Sequence, residues 1–213
     1  MFNDFDEHLR IWLRAACAKW GCVEPGSAYL TSVNERLPVG LRTLLFRGIS
    51  DGLILPDGLY FHLKELPHKG PYQWFSNRNW HGGPHPNWEY FIHVAEYVRL
   101  HRIATALNLR LMFEDNAMDL TLYRDNTLLV CIEVKFDADT LESLIKGVQT
   151  YESGIDILAP DRGNDHLRKA KYIMKAQPQY FAGVAIGSRR EYRVEYPADS
   201  NTFRLIRDVI PWA

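Results

Sequence analysis

Residues 114–139 read EDNAMDLTLYRDNTLLVCIEVKFDAD, and this stretch decides the fold. Successive side chains of a strand point to opposite faces. Over residues 128–134 that rule puts Leu128, Val130, Ile132 and Val134 on one wholly apolar face. Leu129, Cys131 and Glu133, followed by Lys135, fall on the other. Residues 118–123 divide in the same way, with Leu120 and Leu122 on the apolar side and Asp119, Thr121 and Tyr123 on the polar side. Two such runs on either side of the turn-forming residues 124–127 predict a β-hairpin.

Register decides whether the two acids meet. Residues directly opposite in an antiparallel pair share a face, so Asp119 joins Glu133 only through an odd-length loop centred near Asn126, or through a bulge that shifts the count. A strict two-residue Asp125-Asn126 turn separates them. The prediction is therefore an odd-length loop or a bulge, and an Asp119 facing away from Glu133 removes the site.

Two converging carboxylates suit a hard divalent cation such as Mg2+, which takes oxygen ligands and keeps waters that a phosphate can displace. Such a metal polarises a phosphoryl oxygen and lowers the pKa of a bound water. Lys135, two residues after Glu133 and on its face, can orient that water or offset charge growing on the phosphate. The competing reading is a solvated strand edge, with Asp119 merely opening a strand. Two acids and a lysine so placed form a constellation suited to phosphodiester hydrolysis.

On these residues the chain resembles the PD-(D/E)xK nucleases, the superfamily with the restriction-endonuclease-like fold. Asp119 stands at the motif aspartate and Glu133-Val134-Lys135 at the (D/E)xK tripeptide, while Met118 occupies the place of the family's proline. The resemblance covers about residues 87–196. It implies an α/β, restriction-endonuclease-like core over residues 87–213, a central mixed sheet flanked by helices, after an N-terminal accessory region over residues 1–86. It further implies a divalent-metal-dependent endonuclease. Asp119 and Glu133 would hold Mg2+, with Mn2+ able to substitute. The carbonyl of Val134 would be a further ligand, and Lys135 would place the attacking water. DNA is favoured over RNA as the nucleic acid, a homodimer is compatible, and restriction, defence and repair are compatible settings.

Upstream of the hairpin, Asn87 is the expected cap of a helix over about residues 88–108, whose apolar set is Tyr90, Phe91, Val94, Val98, Ile103 and Leu107. By the resemblance this helix supplies a further acid to the metal site, with Glu96 the first choice and Glu89, two turns earlier, the second. Pairing of either with Arg99 or Arg102 is the alternative. Residues 109–113 predict the first strand of the core. Downstream, Asp139 or Thr140 is the expected cap of a helix with Leu141, Leu144, Ile145 and Val148 apolar. By the resemblance Gln149 assists catalysis, and Tyr151 and Lys146 approach the substrate. A solvated Lys146 is the alternative.

Residues 155–178 read as a polar loop and then a helix with Leu167, Ala170, Ile173 and Met174 on one side. Arg168, Lys169, Lys171 and Lys175 make that helix basic, as a solvated face or as a surface for a nucleic-acid backbone. A buried strand over residues 181–186, a more exposed strand over 191–196 and a short terminal helix over 202–209 complete the expectation.

Toward the N-terminus, Phe5, Leu9, Trp12, Leu13, Ala16 and Trp20 recur at helical spacing over residues 2–20, and Gly21 ends the helix. Residues 28–33, 41–49 and 59–66 read as short strands or helical turns between Gly and Pro signals. Residues 68–88 hold three of the six tryptophans with Lys69 and Arg78. Arg78 and Trp80 are candidate contacts to phosphates and bases. Burial of Trp74 and Trp80 against the core is the alternative.

With 213 residues and 46% hydrophobic content, the chain can build one large domain or a core with an appended one. Its formal net charge of -1 excludes a globally basic polyanion binder, so any nucleic-acid surface is local. Three irregularly placed cysteines are too few for a disulfide framework or a zinc site. No apolar run approaches the ~20 residues that cross a bilayer, and residues 1–10 lack a signal-peptide core. The expectation is a cytoplasmic protein with no membrane partner. Two further classes compete with the nuclease. One is a non-catalytic nucleic-acid-binding or assembly protein that keeps the fold, for which an intact Asp, Glu and Lys has no chemical purpose. The other is an unrelated α/β enzyme using an acidic metal site on a small phosphorylated substrate.

Overall fold

The computed structural model describes residues 3–77, 84–198 and 201–212. The chain divides into two compact units, Met1–Arg99 and Leu100–Ala213. The division falls within a single helix.

The first unit runs through α1 (Asn3–Trp20), α2 (Ser27–Arg36) and α3 (Val39–Ser50) to the antiparallel pair β1 (Ile54–Asp57) and β2 (Tyr60–Leu63). Short strands β3 (Tyr72–Gln73), β4 (Phe75–Ser76) and β5 (His85–Pro86) follow, and α4 (Trp88–Ala106) carries the chain into the second unit. Residues 28–33 and 41–49, open between strand and helix in sequence, are helical. Pro38 stands immediately before α3, where its missing N–H leaves no intrahelical bond unmade, and buried Leu37 anchors the turn between α2 and α3. The core is aromatic. Trp74 has no exposure and its ring centroid lies 4.3 Å from that of Trp12, 4.1 Å from Phe61 and 5.1 Å from Phe91. For Trp74, burial is thus the outcome. Arg78 and Trp80 lie outside the described residues.

The second unit is α/β. It holds a six-stranded mixed sheet in the order β11-β10-β9-β8-β7-β6, made of β6 (Arg110–Asp115), β7 (Met118–Arg124), β8 (Thr127–Val134), β9 (Tyr180–Ala185), β10 (Ser188–Glu195) and β11 (Arg204–Arg207). Every neighbouring pair is antiparallel except β8 and β9. A parallel pair needs a long crossover, and α5 (Ala138–Gln149) and α6 (Asp165–Ala176) provide it. Leu141, Ile145 and Val148 of α5 and Leu167, Ala170 and Ile173 of α6 pack with Cys131 and Phe181 in one buried cluster. Gly183 lets α5 approach the sheet, since a Cβ there would fall 2.5 Å from Leu141 Cδ1.

Two expectations are corrected. Asp137, and neither Asp139 nor Thr140, caps α5: its Oδ1 accepts from the Thr140 N–H at 2.7 Å, which also holds its carboxyl below the usual carboxylate range. The terminal segment is a strand, not a helix. Buried Phe203 and Leu205 alternate with exposed Arg204 and Ile206, a period of two, and the free edge of β10 accepts that strand. The Leu205 N–H also donates to Glu152 Oε1 at 2.9 Å.

Candidate active site

The β7–β8 hairpin combines a two-residue turn with a bulge. Arg124 pairs with Thr127 around Asp125-Asn126, and Asp125 takes a left-handed φ of 53° that Asp tolerates better than most residues. Tyr123 then pairs with Leu128 but Leu122 with Val130, so Leu129 is the extra residue. From there the pairs run Thr121 to Cys131 and Leu120 to Ile132, where the paired register ends. Carried one residue further, the same count puts Asp119 opposite Glu133, and the charge of Asp119 is felt at the Glu133 carboxyl. The bulge is the device the sequence required for the acids to meet. It also corrects the strict alternation, because Leu128 joins Cys131 in the helix-packed cluster.

Asp119 sits half-buried near the start of β7, and its Oδ2 accepts from the Val134 N–H at 2.6 Å. The carboxylate is thereby fixed at the peptide that joins Glu133 to Val134. It is the amide of Val134, not the carbonyl proposed as a ligand, that this contact engages. Glu133 is fully buried in β8 opposite Gly183 of β9. Burial first, and the charge of Asp119 second, push its carboxyl from 4.5 up to about 8, while Lys169 and Lys135 pull it back. Lys135 follows β8 directly. Its N–H donates to the Val184 carbonyl at 2.9 Å, extending the β8–β9 pairing past the strand and fixing the root of its half-buried side chain beside Glu133.

The residue that sequence reasoning missed is Lys169. Read as one member of a basic face, it is instead only 4% exposed, with Nζ 2.7 Å from Glu133 Oε2, 3.0 Å from the Ala117 carbonyl and 3.6 Å from Asp165 Oδ2. The approach to Glu133 falls outside hydrogen-bond geometry, so the contact is an ion pair, and Glu133 Oε1 meets no hydrogen-bond donor among the described residues. A signal was present: Lys169 lies four residues before Ile173 and one before Ala170, on the margin of the apolar stripe of α6. Gly147 permits the close approach of α6 to α5, because a Cβ there would overlap the His166 ring. The other basic residues of α6 are less committed. Arg168 pairs with Asp165, and Lys171 with Asp161 and the Ala159 carbonyl, near the surface.

A second polar group stands on the same sheet. Asp115 Oδ2 accepts from Thr121 Oγ1 at 2.8 Å and from the Tyr123 hydroxyl at 2.6 Å, and that hydroxyl lies 3.5 Å from the hydroxyl of Tyr172 on α6. Burial raises both tyrosines above their usual range, so they remain neutral donors at ordinary pH.

The remaining predicted residues are placed as follows. Glu96 is buried in α4 of the first unit, and both its oxygens receive Arg99, at 2.8 Å from Nε and 2.7 Å from Nη2, the pairing named as the alternative. Glu89 is exposed on the same helix. Leu141 and Ile145 are the α5 residues that meet Gly183, and Lys146 and Gln149 lie one and four residues beyond Ile145 on the same helix. Lys146 is solvated, with Nζ 3.6 Å from Glu142 Oε1. The Tyr151 hydroxyl accepts from Asn164 Nδ2 at 3.0 Å and so ties the end of α5 to the cap of α6.

The donor set fits a hard divalent ion in one respect: two adjacent carboxylates, one with an oxygen that no protein donor engages. No group of three or more His, Cys, Asp or Glu side chains stands together for a metal among the described residues. Water and phosphate oxygens would complete the coordination, as Mg2+ commonly requires. No protein-family model, curated protein or solved structure matches the chain. None of the described helices is long and apolar enough to cross a membrane.

Proposed function

We propose that this chain is a divalent-metal-dependent nuclease that hydrolyses phosphodiester bonds, with DNA the favoured polymer, and that its second unit is a restriction-endonuclease-like core. The observation that carries the reading is the bulged hairpin: its count brings Asp119 opposite Glu133, two residues before Lys135, and Asp119 accepts from the Val134 N–H between them. The sequence of α4, β6, the β7–β8 hairpin and α5, leading into a mixed sheet, supports the fold assignment.

In this reading Asp119 and Glu133 hold Mg2+ or Mn2+. When bound, the ion polarises the scissile phosphate and makes its water a stronger nucleophile. The Val134 amide holds Asp119 in place before substrate arrives, so no reorientation is needed at that carboxylate. Lys135 donates to the attacking water or to the phosphate oxygens, its backbone anchored on Val184. The buried setting of Glu133 excludes bulk water and strengthens each of these interactions.

Lys169 favours a second reading, a nucleic-acid-binding or assembly protein that keeps the fold without cleavage, because the protein itself supplies a cation to Glu133. One assay separates them. Plasmid, single-stranded DNA and RNA are incubated with the protein in Mg2+ or Mn2+, with EDTA controls. Metal-dependent cleavage of a polymer supports the nuclease; binding of nucleic acid with every substrate left intact supports the second reading. Hydrolysis confined to small phosphate esters points to the unrelated enzyme class.

A further inference from the structure

We infer that Lys169 is a positioning residue that acts as the resident cation of the carboxylate site, and that a divalent ion at Glu133 must compete with it. The inference rests on the reading of Asp119 and Glu133 as metal ligands.

Three observations converge. Glu133 has no exposure and Lys169 only 4%, so carboxylate and ammonium meet away from solvent, where the protein and not water supplies the counter-charge. Nζ stands 2.7 Å from Oε2, within the range at which a metal-bound oxygen could not also accept a second cation without strong repulsion. The ammonium also has places to go. The Ala117 carbonyl at 3.0 Å and Asp165 Oδ2 at 3.6 Å, the latter on a side chain 44% exposed, can retain it when Glu133 is taken.

The geometry explains how the two acids remain adjacent on the protein's own groups. Asp119 is met by a backbone N–H and Glu133 by Lys169. It also gives the site a threshold, because the ion must outcompete a cation already held in a buried position. A lysine that only supported the fold would, on removal, weaken the site. A resident competitor would, on removal, strengthen it.

Direct Mn2+ binding to the full chain, by calorimetry or by loss of free-ion paramagnetic signal at a fixed alkaline pH, reads the difference. Lys169→Met is expected to tighten Mn2+ binding by at least about tenfold, a modest fraction of the repulsion between two cations at this separation. Lys169→Gln is expected to do the same, and it keeps the test alive if the methionine variant folds poorly. Lys175→Met removes an exposed lysine from the same helix and should leave the affinity unchanged. Equal or weaker binding in both Lys169 variants, with Glu133→Gln weakening binding in the wild-type background, overturns the inference and leaves the metal site standing. No saturable binding in any variant overturns both.

Discussion

Each unit buries an acid beside a base, and the two pairs differ in kind. In the first unit Glu96 is met by Arg99, three residues away on the same helix, within a unit whose interior is a stack of Trp12, Phe61, Trp74 and Phe91. In the second, Glu133 on a central strand is met by Lys169 from a crossover helix, next to another carboxylate. The local pair follows from helical spacing and asks little of the fold. The distant pair depends on a crossover helix packed through close approaches at Gly147 and Gly183, and on desolvating an acid and a base where apolar side chains would be at least as stable. That contrast is why the proposed function is placed on the second unit's pair.

The largest effect expected is structural and belongs to the first unit. Trp74→Ala should destabilise it by about 3–5 kcal/mol in chemical denaturation, because a fully buried aromatic is lost from the centre of the stack. A change near zero would mean that the aromatic interior is not what holds that unit. Next comes the paired replacement Glu133→Leu with Lys169→Met. Removing both charges together should leave stability unchanged or raise it by up to about 1–4 kcal/mol, while abolishing metal binding. If the double variant lost several kcal/mol instead, the pair would be structural.

A pH series sharpens the same comparison. Burial and Asp119 raise the Glu133 carboxyl from 4.5 to about 8, so protonation of this group favours the folded state. Its contribution to stability is full below about 4.5 and is lost as pH rises through about 8. The wild type should therefore lose stability relative to Glu133→Gln across that window, in matched melts. A metal ligand must be ionised, so Mn2+ affinity should rise over the same window. Parallel stability profiles for the two proteins would contradict this. The smallest effect is expected at Lys146→Met, within about 0.5 kcal/mol, since its pair with Glu142 is solvent-exposed. A marked, salt-sensitive loss of DNA affinity in that variant would place Lys146 on the substrate surface after all.

Much of the second unit was legible in the sequence because its strands alternate. Leu120, Leu122, Val130 and Ile132 announce the hairpin, and the demand that Asp119 meet Glu133 announces a bulge or an odd loop from residue order alone. The apolar stripes of α5 and α6 were equally plain. Less could be read where period and punctuation conflict. Around α2 and α3 the Gly and Pro signals broke the helical pattern into fragments too short to assign. The terminal strand was misread because the two-residue alternation of Phe203 and Leu205 is brief, and because only the open edge of β10, a tertiary feature, selects the extended form. Lys169 was hidden by its neighbours. Three other basic residues between 168 and 175 suggest a solvated face, and the identity of its partner depends on how the crossover places α6 over β8.

Whether Asp119, Glu133 and Lys135 form a hydrolytic site is decided by single-turnover cleavage of labelled duplex DNA in Mn2+. Wild type, Asp119→Asn and Lys135→Ala would be compared at equal folded fraction, verified by their melts. Metal-dependent cleavage by the wild type is expected, with a loss of about 10²–10³-fold in each variant, the scale set by removing one transition-state contact. Cleavage that persists undiminished in both variants, or a wild type that leaves the duplex intact while binding it, would contradict a hydrolytic role for these residues.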